Sequence, residues 1–160
     1  MIHDLIATMT EFVQSLPTTI QWGGVMLSAA IPFVESYGAS GIGVIVGVHP
    51  VLACAAAIIG NVISMLIAVN LSHLTRTGLT KNTTESRTAH KRALLKKLFD
   101  RFGVAVVSLI GQTVLPSQIT SAAMVGFGAS KRSVIIWQIV SIILWGVVFT
   151  LAATGLLRLV

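Results

Sequence analysis

Residues 50–71 run through an apolar stretch without one charged side chain, and residues 133–157 form a second such run. A helix that crosses a bilayer needs about 20 consecutive apolar residues. Each run is long enough. The rest of the chain gives them little soluble company: 54% of all residues are hydrophobic and 10% are charged, against roughly 25% charged in soluble domains. The chain reads as an all-α integral membrane protein with one domain, 1–160, because helices satisfy their own backbone in lipid. The single Cys54 excludes an internal disulfide framework.

Charge is distributed unevenly. Residues 1–75 contain no Lys or Arg, whereas eight of the 11 lie from Arg76 to Arg101. Such a cluster beside membrane segments points to topology rather than to nucleic acid. The chain starts without the basic n-region of a cleaved signal peptide. Residues 1–16 place Ile2, Leu5, Ile6, Met9, Phe12, Val13 and Leu16 at helical spacing, and Pro17 ends the run. That helix either lies on the membrane interface or packs on a partner helix.

Residues 22–48 are apolar but interrupted by Pro32, Glu35 and five glycines (Gly23, Gly24, Gly38, Gly41, Gly43). Each half is too short to span. Irregular backbone at membrane depth survives only where protein or a wet cavity covers it. The segment therefore reads as a re-entrant helical hairpin centred on Glu35. Pro50 suits the first turn of the transmembrane helix 50–71. Residues 72–102 read as a basic loop and an amphipathic helix. Leu94, Leu95, Leu98, Phe99 and Phe102 form its apolar face, and Arg87, Lys91, Arg92, Lys96, Lys97 and Arg101 the rest. This helix fits an anionic leaflet, or it is a solvated charge run that fixes topology.

Residues 103–128 are apolar again and break around Pro116. If they crossed the membrane once, Lys131 and Arg132 would lie opposite the Arg76–Arg101 cluster. A second re-entrant hairpin puts all of these on one side, which the positive-inside rule favours. Ser130 can cap the following transmembrane helix, 133–157. The expected fold is an inverted repeat of two re-entrant hairpins, each followed by a transmembrane helix, with N-terminal and central amphipathic helices. Paired Pro-interrupted segments of this kind mark the binding site in transporters. An ordinary four-span bundle is the alternative.

Ala30-Ile31-Pro32-Phe33-Val34-Glu35, His49-Pro50 and Gly60-Asn61 resemble the first half of the small multidrug export protein family. That family is a relative of the DedA (VTT-domain, SNARE-associated) membrane proteins. The second half, from Asp100-Arg101-Phe102-Gly103 through Leu115-Pro116-Ser117-Gln118 to Gly126-Phe127-Gly128, resembles the second hairpin of that superfamily. The resemblance implies two inverted hairpins and transport of lipid-linked phosphates such as the polyprenyl-phosphate carrier, coupled to a proton or ion gradient. It assigns Glu35 to the acidic position of the first hairpin and Pro116 to the proline of the second. DedA proteins place arginines around that proline. Here Gln112, Ser117 and Gln118 stand there.

The expected proton-coupling and substrate path is Glu35, Pro32, Gln112, Pro116, Ser117, Gln118 and Asn61. In a low-dielectric cavity a carboxyl favours its neutral form, so Glu35 suits proton carriage, pairing with a cationic substrate, or a purely structural bond to broken backbone. Gln112, Ser117 and Gln118 line a headgroup path or only satisfy carbonyls freed at Pro116. Asn61 binds ligand or bonds across helices. Lys131, Arg132 and His49 are expected at the mouths, as headgroup contacts or as interface markers. The four histidines lack metal-ligand spacing, and no catalytic motif occurs.

The chain is thus expected to be a non-enzymatic membrane transporter of amphiphilic substrates, chiefly a lipid or polyprenyl-phosphate carrier driven by protons through Glu35. Small-molecule or multidrug efflux is the first alternative. A non-transporting scaffold or holin-like pore former is the second. Its partners would be membrane lipids and an amphiphilic or lipid-phosphate substrate, with no nucleic acid, cofactor or metal. The expected location is the bacterial cytoplasmic membrane, multi-pass, with residues 73–102 cytoplasmic and a homodimer or larger assembly.

Overall fold

A computed structural model describes residues 2–74, 86–112 and 114–157. Every regular element among them is helical: α1 Ile2–Ser15, α2 Gln21–Ala29, α3 Glu35–Val46, α4 Pro50–Leu74, α5 Ser86–Gly111, α6 Ser117–Gly126 and α7 Lys131–Leu157. A single 3-10 turn, Thr18–Ile20, links α1 to α2. The expected polar loop, His73–Thr84, begins inside α4, which runs through His73 and Leu74; residues 75–85 and Arg158 lie outside the described residues. So do the side chains of 72–96 and Leu98, which carry most of the expected amphipathic face.

Two helices, Pro50–Leu71 within α4 and Lys131–Leu157, are long and apolar enough to cross a membrane. Only 39% and 33% of their apolar windows are buried inside the protein. Large apolar side chains such as Val51, Ile67, Ile143 and Leu151 face outward. A core helix of a soluble protein is mostly covered, so these two point to membrane association.

The chain divides into two compact units, Met1–Ser64 with Ile142–Val160, and Met65–Ser141. The division falls within α4 and within α7.

In the first unit, α1 packs on both α2 and α3, and α2 packs on α3. Val13, Val25, Ala29, Val34, Ala39, Ile42, Ala53 and Ala57 form its core. The side chains are small because the backbones approach closely, as packing between apolar helices requires. The five glycines of 22–48 do not break the chain as expected. Gly23 and Gly24 lie inside α2, and Gly38, Gly41 and Gly43 inside α3. Two of them make room for neighbours: a Cβ on Gly24 would lie 2.6 Å from Leu16 Cδ1, and one on Gly43 2.7 Å from Ala53 Cβ. The interruption is confined to 30–34, where Pro32 has no N–H to continue α2.

In the second unit, α5 packs on α6. Gly103 has φ +72 and departs from helical geometry inside α5. Pro116 adopts φ −52 and ψ 146 and starts α6. Phe99 and Phe127 approach to 6.1 Å between ring centroids.

The same stop signal closes α3 and α6. The Gly47 N–H bonds the Val44 carbonyl and the Val48 N–H bonds the Gly43 carbonyl. After α6, Gly128 bonds Val125 and Ala129 bonds Met124. Both are Schellman motifs, and both glycines have left-handed backbone, φ +98 and φ +103. Each is followed within three residues by a long apolar helix. Pro50 opens α4, with the His49 carbonyl accepting the Ala53 N–H at 2.9 Å. Ser130 Oγ accepts the Ser133 N–H at 3.2 Å and caps α7.

Candidate functional site

Glu35 is fully buried in the first unit and begins α3. Its backbone is left-handed, φ +51, and so is that of Phe33, φ +74. Side chains with a Cβ rarely occupy this region, and holding one there costs about 1–3 kcal/mol. The turn tolerates both because the Ile31 carbonyl accepts the N–H groups of Val34 and Glu35, each at 3.2 Å. Pro32 and Phe33 are exposed at the turn, while Val34, Glu35 and Ser36 face the interior. The chain thus turns the Glu35 carboxyl inward at a strained position.

Two serines fix the helix that carries it. Ser36 Oγ donates to the Ile142 carbonyl at 3.0 Å. Ser40 Oγ lies 3.1 Å from the Tyr37 carbonyl and 3.4 Å from that of Gly146. Ser36 and Ser40 lie one helical turn apart on α3, as do their acceptors on α7. Gly146 lets α4 approach α7: a Cβ there would lie 3.1 Å from Ile58 Cγ1. Tyr37 packs on Phe149 at 5.4 Å between centroids, and its hydroxyl donates to the Phe33 carbonyl at 3.3 Å. Asn61 is fully buried in the same unit, beside Gly60 on α4. Ser64 Oγ donates to the Ala30 carbonyl at 2.8 Å, where α2 ends. His49 lies exposed before α4.

The second unit holds Gln112, Pro116, Ser117 and Gln118, all buried. Gln112 begins the turn after α5, and its Nε2 donates to Gln138 Oε1 at 3.1 Å. One turn earlier on α5, the Ser108 carbonyl accepts from Ser141 Oγ at 2.8 Å. These two links tie α5 antiparallel to the start of α7. Thr120 Oγ1 donates to the Leu115 carbonyl at 3.1 Å, and Ser121 Oγ to the Ser117 carbonyl at 2.6 Å. They satisfy backbone around Pro116. Lys131 is half-buried and its Nζ donates to Asn70 Oδ1 at 2.6 Å; Arg132 is exposed.

Sequence reasoning did not single out Ser36, Ser40, Ser108, Gln138 or Ser141. Gln138 and Ser141 are three residues apart in an otherwise apolar run, which is a helical polar face. That spacing was the available signal. Among the described residues, no group of His, Cys, Asp and Glu could hold a metal ion.

No protein-family model matches the chain, and no curated protein or solved structure shows a significant match to it.

Proposed function

We propose that the chain is a multi-pass transporter of amphiphilic substrates in the bacterial cytoplasmic membrane, of the small multidrug export and DedA type, coupled to protons through Glu35. One observation carries the reading: a carboxyl that is fully buried on left-handed backbone at a proline break. An ionised carboxylate is costly to bury, and backbone strain of this kind clusters where a protein works. A carboxyl that takes up and releases a proton as its surroundings change makes use of both.

In this reading α2–α3 and the part of α5 after Gly103 with α6 are two re-entrant hairpins of inverted topology, and α4 and α7 are the spans that follow them. The matching Schellman stops at Gly47 and Gly128 support a common plan. The cluster from Arg76 to Arg101 lies in the cytoplasm with Lys131 and Arg132. The substrate class, a lipid or polyprenyl-phosphate carrier, follows the resemblance. A homodimer or larger assembly completes the wall around the path.

The test is transport in proteoliposomes with a fluorescent polyprenyl phosphate, with and without a pH gradient. The expected result is gradient-driven movement that Glu35→Gln abolishes. Full activity of that variant would remove the proton-coupling role. Release of an entrapped soluble dye by the wild type, with no lipid movement, would replace the transporter with a holin-like pore.

A further inference from the structure

The pair formed by Gln112 and Gln138 leaves hydrogen-bonding capacity over. Gln112 Nε2 bonds Gln138 Oε1, but Gln112 Oε1 and Gln138 Nε2 have no hydrogen-bond partner among the described residues, and neither has Ser108 Oγ. All three side chains are exposed by 5% or less. Exchanging oxygen and nitrogen on both amides reverses the bond and leaves the same remainder, an oxygen and an NH2 group. Ser108 lies one helical turn before Gln112, so its hydroxyl is on the same side of α5. Buried polar groups in native proteins are almost always satisfied, so three together in one place mark a binding site.

The chemistry of that remainder selects its ligand. An alkyl group would leave both amides unmet. An ionised phosphate only accepts, and would face Gln112 Oε1 across a repulsive contact. Lys131, on the same helix as Gln138, has its Nζ held by Asn70 Oδ1. Among the described residues no group of three or more His, Cys, Asp or Glu could hold a metal cation there. A hydroxyl fits: it accepts from Gln138 Nε2 and donates to Gln112 Oε1.

We infer that Ser108, Gln112 and Gln138 form a site for the uncharged O–H of an amphiphile's headgroup, either an alcohol or the P–OH of a protonated phosphate monoester. The inference rests on the transport reading only in calling that amphiphile the substrate. The site itself is independent of Glu35.

The test is equilibrium binding in lipid nanodiscs, read from the side-chain amide resonance of Gln138 in protein labelled with 15N-glutamine. The probes are farnesol and farnesyl phosphate. The expected result is a saturable shift of that resonance in the wild type and, with binding read as the saturable uptake of radiolabelled probe over protein-free nanodiscs, an affinity at least tenfold weaker in Gln138→Met and in the double variant Gln112→Met/Gln138→Met. The double variant removes both amides together, so it leaves neither partner stranded. Circular dichroism checks that helix content is kept.

Farnesol binding that is independent of pH assigns the alcohol. Farnesyl phosphate binding that strengthens at least threefold from pH 8 to pH 5.5 assigns P–OH. The inference is overturned if neither probe shifts the resonance, if farnesyl phosphate alone binds and does so equally at both pH values, or if the double variant binds like the wild type. A resonance that contacts only water under all conditions also overturns it. The assay needs no gradient. Normal transport by Glu35→Gln would therefore defeat proton coupling and leave this site standing.

Discussion

The Cα of Gly60 lies against the Met26 carbonyl, so close that a Cβ on Gly60 would overlap the carbonyl oxygen. The neighbouring atom is backbone and cannot rotate away. Gly60→Ala must therefore push α2 from α4. Overpacking of this kind costs about 1–3 kcal/mol. The expected result is a lower Tm in detergent by light-scattering or fluorescence melting. Gly23→Ala is the control: no atom lies within 4 Å of its would-be Cβ, and alanine favours a helix by about 0.8–1 kcal/mol over glycine. It should melt at or above the wild-type temperature.

The turn before Glu35 gives a second comparison. Phe33 is exposed with φ +74. Glycine occupies that region without strain, whereas alanine keeps the clash of its Cβ. Phe33→Gly should be more stable than Phe33→Ala by about 1 kcal/mol in chemical denaturation. Equal stability of the two would show that the turn relaxes out of the left-handed region.

Ser36→Ala removes the hydroxyl that bonds the Ile142 carbonyl but leaves that carbonyl its helical environment. The cost should be about 0.5–1.5 kcal/mol, the net worth of one intramolecular hydrogen bond. Ser36→Val adds a second branch to a fully buried side chain and overpacks it. It should cost more than Ser36→Ala, measured on the same melting curves.

Topology yields a fourth prediction. With Cys54 replaced by Ala, a cysteine at position 131 should react with membrane-impermeant maleimide from the cytoplasmic side only. Labelling solely from the opposite face would make 103–128 a full span and remove the second re-entrant hairpin. Lys131→Cys also breaks the bond to Asn70. That contact is exposed, and its loss should move stability by less than about 1 kcal/mol.

What one chain of letters revealed was mostly local chemistry. Pro50 has no N–H to offer and opens α4; Ser130 carries a short acceptor and caps α7. Gly103 and Pro116 disturb the backbone where residue type says they should. The expectation that glycines interrupt 22–48 failed because glycine has two uses in lipid-like packing, breaking a helix and letting two helices touch. Only the neighbours decide between them. The left-handed backbone at Phe33 and Glu35 had no signal, since neither residue type favours it. The partners of Ser36, Ser108 and Gln112 lie 106, 33 and 26 residues away along the chain. A single sequence does not encode such distant pairings in any visible pattern. Gln138 was not singled out, although its spacing from Ser141 in an apolar run was a signal.

The hydroxyl of Ser36 is directed to a main-chain oxygen of α7, at Ile142, and that of Ser40, shared with the Tyr37 carbonyl of its own helix, reaches another at Gly146. Every amino acid supplies such an oxygen, so no missense change in α7 deletes the acceptor itself. At Ile142, evolution can rewrite the side chain as long as it fits, while the anchor on α3 stays engaged. The burden of preserving these hydrogen bonds falls on two small residues of one helix, while the opposite helix must keep only the shape that admits them, Gly146 included.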